Sequence, residues 1–464
     1  MLIHDKIDVQ LPEWRERVRS LTKEHGSYKV GDVTVEQIYG GIRGVIIQVS
    51  DISYLDPYEG IRLRGYSIPE LMEKLPKWDG TNIPTAGGLY YLLLVDQLPT
   101  DADAQFIEDE WKRRGEVPQY VWNILKAMPE TAHPMTLFSQ AVLAMANESV
   151  FARNYSGRIP KNGYWKTYLE DSLNLTAKLP AIAAFIYNLK YQNGLYIPPD
   201  PNLDWSANFA HMIGRGDDEE FKELCRLFFV IHSDHEGANV SAHATALVCS
   251  ALSDVYYGCS AGLDGLAGPL HGLANQECLR WLLDVREHFD GLPDPNDLRD
   301  YLQAQLEAGA IIPGYGHAVL RTTDPRFTAL LEFSRKYIVN DELLALVEMV
   351  YDILPPLLSA MGKVKNPWPN VDAITGALQY HYGIKEFDFY TVLFGVSRLL
   401  GLTAHAVWSR ALGKPIERPK SLTTHMLEEM VKEPELVPIT FENNKLSQTL
   451  AQAHQGSVNA DGRG

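Results

Sequence analysis

Cysteine is scarce in this sequence, and its few copies are not arranged for chemistry. Cys225, Cys249, Cys259 and Cys278 show no C-x-x-C spacing, which excludes a disulfide scaffold and a cysteine zinc site. Lying in helical or glycine-rich apolar contexts, they read as buried free thiols of a reducing compartment. Basic charge is also short: 42 Lys and Arg stand against 59 Asp and Glu, a net −17. That balance excludes a nucleic-acid surface and an anionic-membrane anchor, so an anionic ligand must be met by local clusters of arginine. Apolar runs such as Leu89–Val95 are too short to cross a bilayer. The first residues carry Asp5, Asp8, Glu13 and Glu16, unlike a signal peptide or an acid-poor transit peptide. The expected location is cytoplasmic, as in a bacterium, or the mitochondrial matrix for a processed chain. Walker and G-x-G-x-x-G fingerprints in a strand-to-helix context are missing, as is H-E-x-x-H.

What is present is helix. With 464 residues the chain can bury a large core and divide into two domains, or one domain with an insertion. Strand signals are confined to residues 29–65, where TVEQI and GVIIQVSDISYLD alternate around glycines. Apolar spacing of three and four predicts helices over 103–128, 166–191, 218–232, 241–257, 273–289, 341–360 and 388–412. The expected fold class is mostly all-α with a small N-terminal β element.

Five stretches carry candidate chemistry. In GLDGLAGPLHGLANQE, the glycines at 262, 265, 268 and 272 with Pro269 make a continuous helix implausible, so helices should stop around His271 and leave its ring facing a cleft. A histidine that merely ends a helix is the plain alternative. IHSDHEGANVSAH crowds His232, Asp234 and His235 at a helix break; a metal site or a carboxylate-ligand site would both use them, His235 being the most exposed candidate. In IIPGYGHAVLRTTDPRF, the turn Pro313, Gly314, Tyr315, Gly316 exposes backbone groups able to read a base edge, and His317 with Arg321 and Arg326 suits an anion. Asp372, in NPWPNVDAITG, is either a helix cap or a carboxylate whose apolar surroundings raise its proton affinity toward that of a general base. Arg398 falls within an apolar helix and needs an anion, which an internal carboxylate or a ligand could supply. Beyond that helix, Arg418 lies in a Pro-flanked loop able to reach past its own subunit.

Together and in this order, these segments resemble citrate synthase of the mitochondrial type, from YGGIRG at Tyr39 to Lys420. The resemblance implies a helical homodimer with a large domain, 1–271 plus 378–464, and a small mobile domain, 272–377. It implies condensation of acetyl-CoA with oxaloacetate and hydrolysis of citryl-CoA, with no cofactor and no metal; 2-methylcitrate synthase, using propionyl-CoA, is the alternative. Residues matching the family's catalytic groups are His271, His317 and Asp372. Those matching its oxaloacetate site are His235, His317, Arg326, Arg398 and, from the other subunit, Arg418. CoA would meet Arg43, Arg321 and the backbone of Pro313, Gly314, Tyr315 and Gly316. Lys161 stands where many members have a CoA-binding arginine, exchanging a paired contact for a point charge.

Overall fold

Polar side chains start many of the helices by accepting otherwise unpaired N–H groups. Asp218 accepts from Phe221, Asn239 from Ala242, and Asp254 from Tyr256 and Tyr257. The computed structural model describes residues 3–362 and 365–432. Among them are twenty-one α-helices and one antiparallel sheet of three short strands, Ser53–Asp56 (β1), Gly60–Leu63 (β2) and Tyr66–Ser67 (β3), in that order. The fold is thus mostly all-α with a small N-terminal β element. The polar tail from residue 433 lies outside the described residues.

Six helices build the site: Val240–Ser250 (α1), Val255–Leu266 (α2), Ala274–His288 (α3), Pro325–Tyr337 (α4), Asp372–His381 (α5) and Tyr390–Ala411 (α6). The centre is α6, which is buried almost all round and packs on both α1 and α2. It and Glu342–Met361 are long and apolar enough to cross a membrane, but the window containing α6 is 94% buried inside the protein, as suits a core helix. All four cysteines are buried and free.

Several local expectations are corrected. TVEQI is a short helix rather than a strand: Thr34 accepts from the Gln37 N–H while the Gln37 side chain accepts from the Thr34 N–H, and this capping box outweighs β-branched propensity. Residues 45–52 form no strand. Gly262 and Gly265 do not break α2 but lie inside it, because α1 crosses too closely for a side chain. A Cβ at Gly262 would come within 2.3 Å of the Thr245 hydroxyl and 3.0 Å of the Ser241 carbonyl. The break itself falls at 267–273, around His271 as expected. The stretches 103–128, 166–191 and 241–257 are each two helices, the last divided by the Asp254 cap.

By contacts the chain forms one unit through Ile416 and a second from Glu417. The described part of the second holds the helix Thr424–Lys432 and, before it, an exposed Arg418.

Candidate active site

The break after α2 presents His271, half-buried, to the start of α1. The Ser241 amide N–H, which can only donate, points at His271 Nε2 from 3.4 Å, and the Ser241 hydroxyl lies 3.2 Å from the same atom. With Nε2 accepting, the proton of the neutral ring sits on Nδ1. Burial, helped by the positive Arg398, pushes its pKa down to about 4, so the ring is neutral at neutral pH.

His317 follows a turn in which Gly314 and Gly316 take φ of +80° and +91°, a conformation that suits glycine. A Cβ at Gly314 would also strike Ala373 and the Cys278 sulfur, each at 2.9 Å. His317 Nδ1 accepts from the N–H groups of Val319 (3.0 Å) and Leu320 (3.1 Å). Both can only donate, so the ring proton is on Nε2. Burial and Arg326 lower its pKa.

Asp372 is not the N-cap of α5. Val371 holds that position, and no side chain caps the helix. Burial raises the Asp372 pKa to about 6, against the pull of Arg326 and Arg398. This is the environment expected of a general base rather than of a cap.

Arg398 on α6 is 1% exposed. It donates to the His232 carbonyl and the Ser241 hydroxyl, both at 3.3 Å, and its guanidinium lies 4.7 Å from the Phe394 ring centre. Among the described residues no carboxylate lies within 4 Å of it. Burial pulls its pKa down to about 10, so its charge lacks a close counter-ion within the protein. Arg326 is buried as well, with Nε and Nη2 on the Asp324 carboxylate (3.1, 3.2 and 2.7 Å) and Nη1 left over. His235 lies in the field of Arg326, Arg398, His317 and His271, which together with burial holds its pKa well down. Its ring stands edge-on to His317 at 5.8 Å, and its buried Nε2 has no partner among the described residues. Of the three candidates in that segment His235 is the most exposed, as expected, half-buried where His232 and Asp234 are buried, and its orphaned nitrogen suits a ligand site.

The metal alternative is not what these side chains build. His232 stacks on Phe228 and turns Nδ1 to the Phe228 carbonyl at 2.9 Å. Asp234 accepts from Ser53 (2.6 Å) and pairs with His405 (2.8 Å), while Gly401 of α6 packs directly beneath it.

The residues expected at CoA are less gathered. Arg43 and Lys161 are exposed. Arg321 folds Nη1 onto the carbonyls of Val319 and Leu320, both at 2.7 Å. In the turn, the carbonyls of Pro313, Gly314 and Gly316 accept bonds from Cys278 and Asn370. Ser241 bonds His271 and Arg398, Asp324 bonds Arg326 and Asn370 bonds the Asp372 N–H; no sequence motif points to these three.

Comparison with known proteins gives the family. The profile described as "Citrate synthase, C-terminal domain" matches residues 41–420. The probable mitochondrial citrate synthase of Glossina morsitans morsitans is 50% identical over 93% of this chain and 92% of its own. Citrate synthase from Pyrobaculum aerophilum superposes with a TM-score of 0.74 at 26% identity, over 89% of this chain and 98% of that one. Citrate synthase from Thermoplasma acidophilum, solved as a ternary complex with carboxymethyl coenzyme A and oxaloacetate, shares the fold at a TM-score of 0.69 and 22% identity, over 88% of this chain and 99% of that one. This chain belongs to the citrate synthase family.

Proposed function

We propose that His271, His317 and Asp372 divide the steps of citrate synthesis between them. Asp372 takes a proton from the methyl group of acetyl-CoA while the Nδ1–H of His271 donates to the thioester oxygen, where charge develops. The enol carbon then attacks the ketone of oxaloacetate, whose oxygen receives the Nε2–H of His317, and water hydrolyses the citryl-CoA thioester. The observation that carries this reading is the pair of neutral rings with opposite tautomers, beside a carboxylate of raised pKa. Two fixed donors and one base are what enol formation and its capture require.

Oxaloacetate supplies the anion that Arg398 lacks, with Arg326 Nη1, His235 and Arg418 of the partner subunit as further groups. The ligands named for the Thermoplasma acidophilum structure support oxaloacetate and a CoA thioester as substrates. Arg43, Arg321 and Lys161 meet the CoA phosphates, and the 313–316 backbone, chiefly at Tyr315, meets adenine. A small domain, 272–377, closes over the thioester. This chemistry runs on acid–base groups alone, so the proposed mechanism assigns no step to a cofactor or metal.

A homodimer is supported by ten large apolar side chains left exposed between Tyr28 and Val49, a density that marks an interface. Of the two compartments open from sequence, the mitochondrial name of the Glossina relative supports the matrix. Its name also does not favour the 2-methylcitrate alternative. The deciding assay is thiol release from acetyl-CoA and from propionyl-CoA, with and without oxaloacetate. Release from acetyl-CoA only when oxaloacetate is present is expected; release that ignores oxaloacetate overturns the reading.

A further inference from the structure

Asn370 joins the two halves of this machinery. Its Oδ1 accepts from the Asp372 N–H at 2.9 Å, and its Nδ2 donates to the Gly316 carbonyl at 3.2 Å. Its backbone N–H donates to the Gly314 carbonyl at 2.9 Å, and its carbonyl accepts from Ala373 at 3.2 Å. The amide orientation is fixed by chemistry, since one partner can only donate and the other can only accept. One side chain therefore spans from the residue before His317 to the first residue of α5, which has no side-chain cap.

We propose that Asn370 is a positioning residue that sets the separation of Asp372 from His317, and so couples formation of the enol to its capture. This rests on the reading of Asp372 and His317 given above. Alanine at 370 removes both side-chain bonds. Aspartate keeps the bond to the Asp372 N–H, cannot donate to Gly316, and adds a negative charge beside the base. The charged and titratable groups facing Asp372 from the packed elements are Arg326 and Asp324 at α4, Arg398 on α6 and Cys278 on α3, so a new carboxylate there acts against a fixed background.

The test compares wild type, Asn370→Ala and Asn370→Asp in the full chain. Asn370→Ala should lower kcat by about 100-fold, as misplacement by about 1 Å does, with oxaloacetate binding within about twofold of wild type. Methyl deuterium exchange should fall in parallel. Asn370→Asp should move the acid limb of kcat/KM for acetyl-CoA up by roughly one pH unit. Wild-type exchange in the alanine variant, or an unmoved acid limb in the aspartate variant, overturns the proposal. Equal losses of kcat, oxaloacetate affinity and thermal stability would reduce Asn370 to a structural bond and overturn it as well. A wild type without oxaloacetate-dependent thiol release strikes the underlying reading instead, which separates the two failures.

Discussion

At the scale of single residues, the proposed mechanism rests on pKa values pushed apart by burial, and each assignment can be tested. The base must be ionised to act, so with its pKa raised to about 6 the rate should fall about tenfold per pH unit below pH 6. His271, held at about 4, stays neutral from pH 6 down to about pH 5, so the first part of the fall reports the base alone. Asp372→Asn should abolish methyl exchange, a loss of about 10³-fold, while oxaloacetate still binds. It should also stabilise the fold. A carboxyl whose folded pKa lies above its unfolded value loses stability as pH rises between the two, so the neutral amide should gain on the order of 2 kcal/mol at pH 8 and little at pH 4. Chemical denaturation at the two pH values measures this; equal gains would mean that Asp372 is not desolvated. For His271→Ala the expected loss is about 3 kcal/mol in enol formation, and a collapse of oxaloacetate binding instead would show that His271 and His317 have exchanged roles. Sequence singles out these three groups because His271 and His317 each adjoin a glycine at a break and Asp372 follows a proline-rich turn. Their partners stayed hidden: Ser241 lies 30 residues from His271 and Asn370 lies 54 from Gly316, and no local pattern records such pairings.

At the scale of elements, glycine has two meanings that sequence did not separate. Those at 314 and 316 make the turn, as read, whereas 262 and 265 serve the crossing of α1 and α2. Gly262→Ala is a direct test. Helix propensity alone would stabilise by up to about 1 kcal/mol. The clash with Thr245, Leu402 and the Ser241 carbonyl should outweigh this and destabilise by about 1–3 kcal/mol, read from the urea midpoint. Because Ser241 holds both His271 and Arg398, turnover should fall as well; a stabilised, fully active variant would refute the close crossing. TVEQI carries a different ambiguity, since its β-branched residues favour a strand while Thr34 and Gln37 form a helix-starting capping box. The long helices at 342–361 and 390–411 were plain from their spacing, since a buried helix keeps its apolar period across many turns.

At the scale of the whole molecule, a net charge of −17 coexists with a site of buried arginines, so substrate anions are drawn by a local field within a repelling surface. The question of assembly is sharper. Arg418 is exposed in a unit separate from the other site residues, and the apolar segment from Tyr28 to Val49 calls for a covering surface. If the covering surface is a second copy and Arg418 completes its site, the dimer is the catalytic unit. Arg418→Ala and His271→Ala chains should then each be nearly inactive alone. A heterodimer of the two would assemble one intact site, with His271 from one chain and Arg418 from the other, and its other site would carry both defects. Co-expression with two different tags, followed by purification through both, isolates that heterodimer. About half the wild-type activity per dimer is the expected result, as one site in two survives. Verified heterodimers that stay inactive would place Arg418 at the site of its own chain or at none.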